Sequence, residues 1–149
     1  MACPFFSPTQ RAYDLSFSHP TRLPLGASWR GVCNAPNHEQ AVPADFELES
    51  CNLGYAKNCF RLPKSRDADA VRFGVSKQSP ETVFVQFVLE AGHLPAGSGL
   101  LQYDHRRNAW LVMHPDPRIQ RLAEAFLQFY LEKNPTPSVL SEPWKRTAI

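Results

Sequence analysis

Thr82-Val83-Phe84-Val85-Gln86-Phe87-Val88-Leu89-Glu90 is the stretch that decides the fold. Its β-branched and aromatic residues alternate, so Val83, Val85, Phe87 and Leu89 fall on one face of a strand. Phe84 and Val88 place apolar groups on the other face. Both faces are therefore expected to be covered, which points to an interior strand. Immediately upstream, Ala70 to Ser76 alternates in the same way, with Val71, Phe73 and Val75 on one side, and Lys77-Gln78-Ser79-Pro80-Glu81 reads as the connecting hairpin loop. Downstream, Gly99 to Tyr103 and Ala109 to Met113 form a second pair around Asp104-His105-Arg106-Arg107-Asn108. The simplest assembly of 70–113 is an antiparallel meander of about four strands.

A helix follows. Asp116 suits an N-cap and Pro117 a first helical position, where the missing N–H costs nothing. Ile119, Leu122, Ala123, Phe126, Tyr130 and Leu131 recur at helical spacing and give one apolar stripe. Lys133 complements the C-terminal dipole, and Asn134-Pro135 ends the helix. The stripe predicts that this helix lies across the sheet. The fold class expected is α+β: an antiparallel β-meander, one C-terminal helix packed on it, and an irregular Cys-rich N-terminal region. The chain of 149 residues then reads as one domain. It divides into residues 1–66, residues 67–135 carrying sheet and helix, and a tail 136–149 that Trp144 would pin.

Residues 1–66 have a different texture. The chain has 14 prolines, and His19-Pro20, Leu23-Pro24, Ala35-Pro36 and Val42-Pro43 interrupt this region. Proline fixes φ and removes a donor, so little continuous helix or sheet is expected, apart from a strand near Ala27 to Val32 and a helical turn or strand at Asp45 to Glu49. All four cysteines lie here: Cys3, Cys33, Cys51 and Cys59, separated by 29, 17 and 7 residues. None is expected on a regular element, where a cysteine serving as a small hydrophobe would sit. A four-coordinate metal held by these thiols would close three loops and supply the order that the backbone lacks. Gly31 and Gly54 would ease the turns between ligands, and Arg30, Lys57 and Arg61 would offset thiolate charge.

Structural zinc sites draw on closely spaced cysteine knuckles, and none is present. An iron–sulfur cluster, 4Fe–4S, is the first expectation and zinc the alternative, with His19 or His38 replacing Cys3 in a zinc site. Cys3-Pro4 is similar to the Cys-Pro step of bacterial ferredoxins; the resemblance covers that step and the cysteine count alone. Two disulfides, or four unrelated free thiols, are the plainer readings.

The net charge of +2 favours neither a polyanion nor a membrane surface. The start Met1-Ala2-Cys3-Pro4 has neither the basic nor the apolar segment of a secretion signal, which leads to the expectation of a cytoplasmic protein. The expected role is an electron-transfer, redox-sensing or structural metal module with a protein or redox partner. In the zinc alternative the domain presents a surface to protein or nucleic acid. His105, Arg106 and Arg107 form a basic hairpin tip that a phosphate would meet, although polar turns are usual. His93, near Gly97 and Gly99, sits in a loop that would border a pocket. His114-Pro115-Asp116 matches the tripeptide of J-domain co-chaperones, but it joins a strand to a helix, and the cap explains it. No pattern for nucleophilic catalysis is legible.

Overall fold

The computed structural model describes residues 2–15, 17, 23–54 and 59–135. In chain order the elements are β1 (Phe6–Arg11), β2 (Trp29–Cys33), a 3-10 turn at Asp45–Glu47, α1 (Leu48–Leu53), β3 (Ala70–Gln78), β4 (Thr82–Ala91), β5 (Leu94–Asp104), β6 (Ala109–Val112) and α2 (Pro117–Lys133). The four strands β3 to β6 form the expected antiparallel meander in sequence order, with β4 interior. Val83, Val85 and Leu101 are buried against Ala123 and Leu127 of α2. Asp116 caps α2 as expected, its carboxylate accepting the Arg118 N–H at 2.9 Å.

Two departures from expectation matter for the site. β5 begins at Leu94 rather than Gly99, because Gly92 and His93 hold φ of 57° and 66°. Positive φ at both central residues makes a two-residue I′ turn, so β4 and β5 form a tight hairpin. His93 is a turn residue, and no loop separates the strands. The second departure concerns coverage. α2 packs on one face only, and among the described residues no helix or strand lies over the face carrying Phe84, Val88 and Leu100. There Leu100 is 52% exposed, and Leu111 and Val112 are 46% and 45% exposed.

The N-terminal region is more regular than its prolines suggest. β1 and β2 pair antiparallel, with an irregularity between Pro8 and Gln10 that accommodates proline. Ala2 bridges Val71 through two main-chain hydrogen bonds of 2.9 Å, stitching the chain start to the β3 edge. Ala2, Phe6, Leu25, Trp29, Leu48 and Val71 share a buried cluster with Ile119, Leu122 and Ala125. Each large apolar side chain so enclosed contributes about 1.5–3 kcal/mol. The Asn52 side chain, 1% exposed, binds both main-chain groups of Trp29 at 2.9 and 3.0 Å and the Leu48 carbonyl at 2.8 Å. Ordinary burial and backbone pairing thus order this region. The tail 136–149 with Trp144, and the positions of His19 and Lys57, lie outside the described residues. Among those described, no helix is long and apolar enough to cross a membrane.

Candidate functional site

Two features stand apart from the common core, an enclosure lined by thiols and the outer edge of β5.

Cys3, Cys33, Cys51 and Cys59 all line one small enclosure, together with Phe5, Phe6, Ala35, Leu62 and Arg61. Four separate places bring them there: the chain start, the last residue of β2, α1, and the loop after α1. Cys3 and Cys51 are adjacent through the main chain, with the Cys3 N–H donating to the Cys51 carbonyl at 3.1 Å. Burial pushes the Cys3 thiol up to about 12; the Phe5 N–H opposes this, while Cys33 and Cys59 add to it. Cys51 is raised first by burial and then by Cys3, Cys33 and Cys59. Burial also raises Cys33, partly offset by the Ala35 N–H, which donates to its Sγ at 3.4 Å. All four cysteines are free.

The sequence thus names four residues that do come together, but the expectation of a metal-binding protein, through an iron–sulfur cluster or zinc, is overturned. Among the described residues no group of three or more His, Cys, Asp or Glu side chains is placed to hold a metal ion. The reasoning failed at a definite step. Cys33 and Cys51 lie on β2 and α1, which run past the short strand expected at Ala27 to Val32 and the turn or strand expected at Asp45 to Glu49 and take in the two cysteines. Cys33 packs with Phe5 and Ala35, and Cys51 and Cys3 pack against the cluster around Phe6 and Leu48. The thiols therefore behave as small hydrophobes on the wall of an apolar space. Arg30 does not serve them; it pairs with Asp14 and Asp45 at 2.9 and 2.6 Å. Arg61 lines the enclosure yet is paired with Glu47 at 2.7 Å. His38 packs edge-on against Phe60, with ring centroids 6.0 Å apart.

The other sequence candidates have structural partners. Arg106 binds Glu81 at 2.6 Å, and Arg107 lies 3.6 Å from Asp104, so the hairpin tip spends its charge locally. His114 Nδ1 accepts the Asp116 N–H at 2.9 Å while its ring packs edge-on against Phe87 at 4.7 Å. This fixes the entry to α2.

Sequence reasoning did not find the β5 edge. β5 pairs with β4 along its whole length, but β6 pairs only with Gln102, Tyr103 and Asp104. Leu94–Leu101 therefore has no described neighbour on its outer side, and Leu94–Ser98 is exposed throughout. The His105 N–H donates to the Glu81 carbonyl, toward β4. Strand alternation then turns Gly97, Gly99, Leu101 and Tyr103 toward β4 as well, so the main-chain N–H and C=O of Ser98 and Leu100 point outward. The ladder irregularity between Leu89 and Glu90 confines this regular run to Gly97 onward.

The opposite edge of the sheet is protected. At β3, Ala2 bridges Val71, Arg72 and Lys77 are exposed, and the register shifts between Val75 and Lys77. Charge, bulges and covering segments are the usual defences of an edge. β5 has Pro95 and a bulge at its start and no charge from Gly97 to Leu101. Phe87 lies across Gly99, where an added Cβ would sit 2.8 Å from its Cζ. A groove is lined by Leu89, His114, Arg118, Ile119, Phe5 and Pro63, with Arg66 and Asp67 also on its wall; Leu89 is the β4 partner of Gly97, which links the groove to the start of this run. Comparison with protein-family models, with curated proteins and with solved structures gave no match, so the reading below rests on this geometry.

Proposed function

We propose that this protein is a binding module that takes an extended segment of a partner protein along the outer edge of β5. The observation that carries the reading is the uncharged run Gly97–Leu101, which among the described residues has no partner on its outer side because pairing with β6 stops at Gln102, whereas the β3 edge carries Arg72, Lys77 and the Ala2 bridge. An edge strand templates a further strand, with main-chain bonds giving affinity and side-chain pockets giving selectivity. Magnitudes set the form of the partner. Ser98 and Leu100 offer two donors and two acceptors, worth about 2–6 kcal/mol at about 0.5–1.5 each. A micromolar complex needs about 8 kcal/mol. The remainder would come from apolar side chains of the partner, entering the groove beside Leu89 and Ile119 on one face and meeting Leu100 on the other. The favoured partner is thus an extended segment with alternating apolar residues, one of them seated in the groove.

The test selects binders from a displayed library of random linear peptides on the whole protein, then titrates one enriched synthetic peptide by NMR. The reading expects shift changes concentrated at 96–101 and the groove, and at least about tenfold weaker binding in Ser98→Pro, which removes an outward donor. Failure to enrich any peptide, changes centred elsewhere, or full affinity in a folded Ser98→Pro protein would refute it.

A further inference from the structure

We propose that the hollow between α2 and the β5–β6 pair binds a quaternary ammonium group. Two regular elements build its walls. The sheet supplies Tyr103 and Trp110, cross-strand partners on β5 and β6, whose rings meet edge to face at 68° with centroids 5.4 Å apart. α2 supplies Glu124, Leu127, Leu131 and Glu132, whose spacing puts them on one side of the helix. The hollow measures ≈ 440 Å³, within the roughly 300–1,000 Å³ usual for small-molecule sites.

The lining selects the guest by its charge and by its hydration. In the corner of an edge-to-face pair a guest meets the flat side of both rings, and that side is the electronegative one. A cation is favoured there. The charged side chains on the wall are Glu124 and Glu132, and among the described residues the wall carries no lysine, arginine or histidine. Each carboxylate accepts from an arginine through one oxygen, Glu124 from Arg121 at 3.4 Å and Glu132 from Arg11 at 2.8 Å, and neither arginine lines the hollow. An anion would be repelled. Leu127 and Leu131 make the rest of the wall apolar. They offer nothing to replace the water around a primary ammonium, which is strongly hydrated, whereas methyl groups lose little against them. A positive charge wrapped in methyl groups meets both demands. Choline-type small molecules and trimethylated lysine side chains share that chemistry.

The test titrates the full chain with choline by NMR and compares two analogues. One carries a tert-butyl group in place of the trimethylammonium and has no charge; the other, ethanolamine, keeps the charge and lacks the methyl groups. Saturable shifts at Tyr103, Trp110 and Leu127 are expected with choline in the millimolar range, with both analogues at least about tenfold weaker. Trp110→Leu should weaken choline by a similar factor. A short peptide carrying trimethyllysine identifies the source: tighter binding than choline assigns the site to a partner side chain, and weaker or equal binding assigns it to a small molecule. Absence of saturable shifts, shifts centred elsewhere, or equal binding by either analogue would overturn the proposal. The comparison of analogues on the unaltered chain decides the matter even if Trp110→Leu does not fold.

Discussion

Proline at two successive positions of β5 should have opposite consequences. At Ser98 the N–H points to the outer side of the sheet, so Ser98→Pro deletes no ladder bond, and edge strands tolerate proline with that orientation. The cost expected is about 1 kcal/mol or less. At Gly99 the N–H faces Phe87 of β4. Gly99→Pro removes that bond and orphans a carbonyl. It also places a ring where a Cβ alone would approach Phe87 Cζ and Cε1 to 2.8 and 2.9 Å. Interior proline costs about 3 kcal/mol or more. The two variants should therefore differ by at least about 2 kcal/mol. With a urea slope of about 2 kcal/mol/M, that separates their midpoints by about 1 M. Urea unfolding followed by tryptophan fluorescence reads this directly. Equal losses, or a larger loss at Ser98, would refute the assignment of which amides face outward.

Asn52→Leu should cost about 3 kcal/mol, since it strands the buried Trp29 N–H and leaves the Trp29 and Leu48 carbonyls without their donor; a loss under about 0.5 in urea would count against Asn52 as the tie between α1 and β2. Leu122→Ala, at a fully buried position shared by the N-terminal region and the sheet, should cost about 2–5 kcal/mol, with the β1–β2 ribbon and the sheet losing structure together by circular dichroism and NMR. Stability should also fall as pH rises from about 8.5, where an unfolded thiol begins to ionise. Folded Cys3 keeps its proton to about 12, so the unfolded state releases protons first and is favoured. This pH dependence should be shallower in Cys3→Ala than in the parent, and an identical slope would contradict the raised thiol.

The alternation of Val83, Val85, Phe87 and Leu89 identified β4 and its buried face because a period of two has a single structural solution there. Asp116, Pro117 and the apolar stripe located α2 for a similar reason, the cap and the core agreeing on one register. The N-terminal region resisted the same treatment. Its strands are short, Pro8 lies inside one of them, and their pairing depends on partners 18 to 27 residues away, which local pattern does not encode. The cysteines were correctly drawn together, but for the wrong reason. Thiol count and spacing do not distinguish a ligand set from small side chains filling an apolar enclosure; burial and direction do, and only the fold supplies them. The open edge was hidden more simply. Gly92-His93 makes a tight turn with an unusual second residue, so the first part of β5 passed for loop, and the mismatch in length between β5 and β6 could not be seen.

Site-resolved amide exchange of the free protein by NMR addresses the edge without any partner. The amides of Ser98 and Leu100 should exchange far faster than those of Gly99 and Leu101, which are protected by pairing to β4. Uniform protection from Gly97 through Leu101 would mean that the outer side of β5 is already occupied, and the binding reading would fall with it.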